Sequence, residues 1–190
     1  MGDATPSYNS GNWPLDSLKA VAVASRSWIF YNADPAWPPC KHPNCGVWNS
    51  QADLTYNLTP PVYPTNYSTA LSQTAKMYGY LGAYWDPSAG SYRHKPILAM
   101  YADRTGDPSR DDSQSGAYPY LASHSSPPDT CIEAYRPAGY SPGLSQRGSA
   151  DWLRGFTCTY QGTSQYFHLA DYTAVLQHDY DGLISIETAW

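Results

Sequence analysis

Proline sets the limits on this chain. There are 17 prolines in 190 residues, and seven fall at positions 35, 38, 39, 43, 60, 61 and 64. Proline has no backbone N–H and clashes with the preceding helical turn, so it breaks helix interiors and is confined to the margins of sheets. Residues 33–66 are therefore expected to be irregular, with regular elements on either side. Before them, the longest clean pattern runs from Trp13 to Tyr31. Pro14 stands where a helix can start, and Asp16 faces the positive end of the helix dipole in the first turn. Leu18, Ala22, Ser25 and Ile29 recur on one face, with Val21 and Trp28 beside them. That spacing predicts a helix packed by small residues against a close neighbour, ending at Asn32 and Pro35.

Beyond the proline-rich stretch, Ser68 is placed to cap a second helix over Thr69 to Tyr80. Leu81 to Trp85 and Lys95 to Tyr101 flank the turn D-P-S-A-G-S and read as a hairpin of short strands. Residues 102–118 read as a polar loop, Tyr120 to Ala122 as the start of a strand, and 123–130 as loop again. A Gly/Pro/Ser turn over Gly139 to Gly148 leads to a short helix, Ser149 to Phe156. A last helix, Leu169 to Gln177, precedes a strand over Leu183 to Glu187. Helices and short strands mix without a βαβ rhythm or an internal repeat. The expected fold is α+β, one domain over residues 13–190 behind a polar arm at 1–12.

Composition narrows the class. Charged residues are 14% of the chain, well below the usual quarter, while there are 18 Tyr and 14 Gly. A loop-rich fold with an aromatic, hydrogen-bonding surface follows, which suits sugars: rings stack on their faces and hydroxyls find polar partners. An ordinary extracellular domain with half-buried tyrosines has the same composition. The net charge is -5 and the 11 Lys and Arg are scattered, which argues against nucleic acid and anionic membranes as partners. No apolar run is long enough to span a bilayer. Met1-Gly2-Asp3 does not open a signal peptide, so for an exported protein a leader, and with it any further domain, is expected upstream.

Four cysteines, Cys40, Cys45, Cys131 and Cys158, with few lysines fit an exported protein holding two disulfides. Pairing Cys40 with Cys45 and Cys131 with Cys158 is the simplest connectivity. Cys40-Lys41-His42-Pro43-Asn44-Cys45 also admits a second reading, with Cys40, His42 and Cys45 as three corners of a tetrahedral zinc site. Asn57 and Asn66 each open an N-x-S/T sequon in proline-rich sequence and are glycosylation candidates. Asp103, Asp107, Asp111 and Asp112 share a loop with Arg104 and Arg110, which reads as a solvated, charge-balanced loop rather than a calcium site. His94, His124, His168 and His178 are isolated in sequence and read as structural or surface residues.

Five strings, in order, resemble the SpoIID/LytB domain, the stage II sporulation protein D family of bacterial cell-wall proteins. Trp13, Pro14, Leu18, Lys19, Ala20, Ala22, Val23, Ala24, Arg26 and Ser27-Trp28 stand in register with the family's W-P-x-E-A-L-K-A-Q-A-V-A-A-R-T-Y helix. Lys95 to Tyr101 with Thr105-Gly106 is similar to its K-P-I string, and Pro119-Tyr120-Leu121 to its P-Y-L. Gly139 to Ser149 resembles the glycine-rich G-H-G-V-G-M-S-Q-Y-G-A, and Tyr172 to Gly182 the closing Y-x-x-I-L-x-H-Y-Y-P-G-T. The resemblance implies a cell-envelope or extracellular protein that handles glycan strands. It implies Tyr140, Ser145, Gln146, Arg26 and Tyr101 as glycan-binding candidates. Catalytic members are lytic transglycosylases acting on peptidoglycan.

Cleaving a glycosidic bond needs a carboxyl group that protonates the leaving oxygen. The family's acid is a Glu five residues before the Trp of W-P, and that position is Tyr8 here. A phenol with a pKa of about 10 is a poor donor to an acetal oxygen. Asp16 is the other weak candidate, and it reads better as a first-turn helix charge. The family's glycine-turn His is Tyr140, while Ser145 and Gln146 remain, either to meet a glycan or to cap the following helix. The family's zinc string C-x4-H-C is altered at Cys40 to Cys45. With acid and His both replaced, the expectation is an inactive module that binds glycan strands or another surface polysaccharide, or that self-associates in an extracellular assembly. The alternative is an active lytic transglycosylase with its acid elsewhere, and a non-enzymatic amidase enhancer, as suggested for LytB-type relatives, is a third.

Overall fold

A computed structural model describes residues 13–33, 64–75, 80–86, 91–113, 118–132, 137–181 and 184–187. Tyr8, Cys40, His42, Cys45 and Asn57 lie outside the described residues. In chain order the described elements are α1 (Leu15–Ala33), α2 (Pro64–Ala75), β1 (Tyr80–Asp86), β2 (Ser91–Pro96), β3 (Tyr101–Ala102), α3 (Pro127–Cys131), β4 (Leu144–Ser145), α4 (Gln146–Arg154), β5 (Phe156–Tyr160), β6 (Thr163–Phe167), α5 (Tyr172–Asp179) and β7 (Ser185–Glu187). The fold is α+β. The chain forms two compact units: residues 1–99 with 185–190, and residues 100–184.

In the first unit α1 is the central element. Its first turn closes on Pro14, whose carbonyl accepts from the N–H of Ser17 (3.0 Å) and Leu18 (3.3 Å). The sequence predicted one buried stripe. Instead every residue from Ala20 to Ser25 is buried, together with Ser17, Leu18 and Ser27. The reason is that α2 covers α1 on one side and β1 and β2 on another. The small Ala and Ser side chains let these neighbours come close, and the buried Ser27 hydroxyl is satisfied by donating to the Val23 carbonyl at 2.7 Å. Leu18, Val21 and Val23 are fully buried, each contributing about 1.5–3 kcal/mol of hydrophobic stabilisation.

The second helix corrects the sequence reading. It is Pro64–Ala75, so Ser68 lies inside it rather than at its cap, and Asn66 stands in a helix rather than a loop. Pro64 takes the first helical position, the one place where a missing N–H is harmless. Arg26 of α1 reaches the last turn of α2: its Nη1 donates to the Thr74 carbonyl at 3.2 Å, and its Nη2 donates to Thr74 Oγ1. That carbonyl has no partner within the helix, so the guanidinium closes the helix end. The sheet of this unit is antiparallel in the order β2-β1-β7, with Tyr80 opposite Glu187 and Asp86 opposite Ser91. The register between β1 and β2 shifts between Gly82 and Tyr84.

The predicted strand over Lys95 to Tyr101 is divided. β2 stops at Pro96, and Tyr101–Ala102 pairs instead in parallel with Leu144–Ser145, in the second unit. That unit has its own core, in which Tyr120, Leu121, Leu144, Val175, Leu176 and Tyr180 are at most 1% exposed. The Tyr180 hydroxyl donates to the Met100 carbonyl at 2.7 Å, and the Leu144 N–H donates to the same oxygen at 3.1 Å. Gly143 has φ +72°, and a Cβ there would run into this carbonyl, so only glycine fits. Tyr120 to Ala122 is not a strand, and within the stretch read as loop, 123–130, residues 127–130 belong to the short helix α3. The helix predicted over Ser149 to Phe156 is Gln146–Arg154, and Phe156 instead opens a hairpin with β6. The last helix begins at Tyr172, where Asp171 Oδ1 accepts from the N–H of Thr173 and of Ala174, both at 2.9 Å. A disulfide joins Cys131 of α3 to Cys158 of β5.

Candidate functional site

Three places in the second unit gather polar chemistry. The first is built on Asp129, whose side chain is fully buried. Its Oδ1 accepts from Arg104 Nη1 at 2.8 Å and from Ser145 Oγ at 3.2 Å. Its Oδ2 accepts from the N–H of Thr105 (2.9 Å) and Gly106 (3.0 Å) and from Thr105 Oγ1 (3.2 Å). Arg104, 2% exposed, also donates through Nη2 to Asp151 Oδ2 at 3.1 Å. Burial alone would lower the Arg104 guanidinium, but hydrogen bonds and charge from Asp129 and Asp151 outweigh it and hold it above its usual value. Burial pushes the Asp151 carboxyl up, against the pull of Arg104 and Arg154. The polar loop of the sequence reading is thus only partly solvated: Arg110 and Asp112 pair at the surface, but Arg104 and Thr105 are interior.

This hub explains two of the glycan-binding candidates. Ser145 caps α4, its Oγ accepting from the Gly148 N–H at 3.1 Å while donating to Asp129. Ser145 is 2% and Gln146 5% exposed. The glycine-rich turn here serves the hub and the helix start. Tyr140, in the same turn, is 43% exposed. Tyr101 lies half-buried on β3, Arg26 belongs to the first unit, and Asp16 pairs with Lys19 at 2.7 Å on α1.

The second place joins two histidines that sequence distance had separated. His124 and His178 stand with ring centroids 5.0 Å apart. His178 Nδ1 lies 2.7 Å and His124 Nε2 3.4 Å from Asp179 Oδ1. Burial outweighs the neighbouring carboxylate at His124 and lowers its imidazole. At His178 burial also lowers, but the hydrogen bond and charge of Asp179 outweigh it, and the net shift is upward. Ser109 Oγ is 3.0 Å from His124 Nδ1, which superficially completes a Ser-His-Asp line. Ser109 is only 2% exposed, however, and its Oγ already accepts the His124 backbone N–H at 3.0 Å, so it is not presented to a substrate. What the cluster offers is ligand atoms: one from each of His124, His178 and Asp179, all within 4.8 Å of one another, which could hold a metal ion.

The third place is the β5–β6 hairpin, which the sequence reading missed. Gln161 and Gly162 form its turn with φ of 48° and 81°, the left-handed pair that matches strand twist. One face packs Phe156 and Phe167 against Trp152, at centroid distances of 6.0 and 5.7 Å. By strand alternation the other face carries Thr157, Thr159, Ser164 and Tyr166, all exposed. Tyr166 is 68% exposed, and its ring lies nearly parallel to that of His168, at 9° with centroids 6.3 Å apart. A Cβ at Gly155 would collide with the Tyr166 ring, so this glycine makes room for it.

Compared with protein-family models, with curated proteins and with solved structures, the chain matches none. Among the described residues no helix is long and apolar enough to cross a membrane.

Proposed function

We propose that the chain is a SpoIID-like module of an exported, cell-envelope protein that binds glycan strands without cleaving them. One observation carries the glycan reading: the outer face of the β5–β6 hairpin. It offers parallel rings of Tyr166 and His168 beside the hydroxyls of Thr157, Thr159 and Ser164, with no charged side chain among them. Flat rings stack on the apolar face of a pyranose, and hydroxyls exchange hydrogen bonds with its edge at little desolvation penalty. The family reading rests on the five strings in order, and the Cys131–Cys158 disulfide fits an oxidising compartment.

The non-catalytic part rests on chemistry. A general acid must meet its substrate with a proton to give. Tyr8 replaces the family's acid, Asp16 is engaged by Lys19, and Asp129 is enclosed by five donor groups. The test is co-sedimentation and calorimetry with peptide-stripped peptidoglycan glycan strands. Wild type is expected to bind, and Tyr166→Ala to weaken binding about tenfold, the equivalent of about 1.4 kcal/mol. Equal binding by the variant would remove the hairpin from the reading. Release of anhydro-muramyl products, seen by mass spectrometry, would replace it with lytic transglycosylase activity.

A further inference from the structure

We propose that His124, His178 and Asp179 form a binding site for a divalent zinc-class metal ion, with the two imidazoles and the carboxylate as ligands and one position open beside His178. This inference does not depend on the glycan reading.

The first ground is the donor set. Two imidazoles and one carboxylate converging from different elements are the ligands that zinc and its neighbours in the first transition row prefer. His124 comes from the loop before α3, while His178 and Asp179 come from the end of α5. No sequence motif joins them; only the fold does. Their ligand atoms lie within 4.8 Å of one another. In a tetrahedral zinc site with bonds of about 2.0–2.2 Å, ligand atoms sit about 3.4 Å apart. The 3.4 Å between His124 Nε2 and Asp179 Oδ1 already matches that spacing. His178 Nδ1 lies on the same carboxylate, 2.7 Å from Asp179 Oδ1.

The second ground is what the cluster leaves unsatisfied. Asp179 has a side chain only 2% exposed, and its Oδ2 makes no hydrogen bond among the described residues. His124 is nine-tenths buried, and its Nε2, facing the same space, makes none either. Buried polar atoms are normally paired. An imidazolium at His178 satisfies Oδ1 alone and leaves both orphans. A cation bound by His124 Nε2 and by both oxygens of the Asp179 carboxylate satisfies both. Coordination uses the neutral form of His124, whose Nε2 then offers a lone pair.

The third ground is the support around the ligands. Ser109 Oγ holds His124 Nδ1 at 3.0 Å, leaving Nε2 to face Asp179. Ser109 is itself anchored by its N–H to the His124 carbonyl (2.9 Å) and by Ser123 Oγ on its own carbonyl (2.7 Å). Such outer hydrogen bonds orient metal-binding imidazoles. Trp152 packs on the His178 ring with centroids 5.1 Å apart and forms an apolar wall. His178 is 23% exposed, so water or a small anionic ligand can reach the remaining position from that side.

The test is a cobalt titration of the full chain after chelator treatment, because cobalt occupies zinc sites and reports its ligands by colour. One equivalent is expected to bind, giving visible ligand-field bands without the near-ultraviolet charge-transfer band of thiolate ligation. That distinguishes this site from one built on Cys40, His42 and Cys45. His178→Gln, at a partly exposed position, is expected to change the bands and to weaken cobalt affinity by more than the roughly 10–100-fold typical of losing an outer-shell partner, and Ser109→Ala to weaken it by about that lesser factor. Zinc is expected to displace the colour and to raise the melting temperature of wild type but not of His178→Gln. Absence of visible bands in wild type at excess cobalt would overturn the proposal. So would a thiolate spectrum alone, or a spectrum unchanged in His178→Gln.

Discussion

At the scale of single residues, Asp129 matters most to the second unit. Its carboxylate is buried and accepts from one guanidinium, two backbone N–H groups and two hydroxyls. Removing it takes from Arg104, 2% exposed, the carboxylate that faces its Nη1 and leaves Asp151 on Nη2. Breaking a buried ion pair from one side typically costs about 3–5 kcal/mol. Ser145 is a smaller contributor: losing its cap on Gly148 costs about 1 kcal/mol. Urea unfolding is therefore expected to show Asp129→Ala as several-fold more destabilising than Ser145→Ala. Comparable losses would mean that the hub is ordinary capping and not a charge network. The sequence could not show this hub. Asp129, Arg104, Ser145 and Asp151 lie up to 47 positions apart, and each read alone suggests a loop or helix-end residue. His124 and His178 stayed hidden for the same reason.

At the scale of elements, legibility followed the kind of signal. α1 was readable because Pro14, Asp16 and the apolar spacing agree, and its predicted limits lie within two residues of Leu15–Ala33. α2 was misplaced because Pro64 looked like part of a break when it was a start. The β5–β6 hairpin was missed although F-T-C-T-Y alternates and Gly162 marks its turn. A Gln-Gly turn is a weaker signal than Asn-Gly. The Cys131–Cys158 pair was legible as the simplest connectivity, and it ties this hairpin to α3. Closing a loop over a separation of 27 residues restricts the unfolded chain by about 3.5 kcal/mol in the entropic account. Replacing both cysteines by serine is expected to lower unfolding free energy by roughly 3 kcal/mol and to loosen α3 and β5 first, as faster amide exchange there. A uniform rise in exchange across residues 100–184 would show instead that the unit unfolds only as a whole.

At the scale of the molecule, the division into two units sets what each can do. The chain leaves the first unit after Ala99 and returns to it at Ser185, where β7 completes the three-stranded sheet beside β1. The first unit holds α1 and the three-stranded sheet. The second holds the hairpin face, the His124–His178–Asp179 cluster, the Asp129 hub and the disulfide. It spans only residues 100–184. That is small for a domain, a size at which a core alone is marginal and a cross-link helps. This unit has both: six large side chains at most 1% exposed, and Cys131–Cys158. Its ends are also tied, because Tyr180 and Leu144 both bond the Met100 carbonyl. A fragment of residues 100–184 made under oxidising conditions is therefore expected to unfold in one cooperative thermal transition, to keep the near-ultraviolet dichroism of its buried Trp152 and Tyr180, and to bind glycan strands as the whole chain does. A fragment that folds but does not bind would move the binding surface to the first unit. A fragment with no cooperative transition would show that residues 1–99 and 185–190 are needed to fold it.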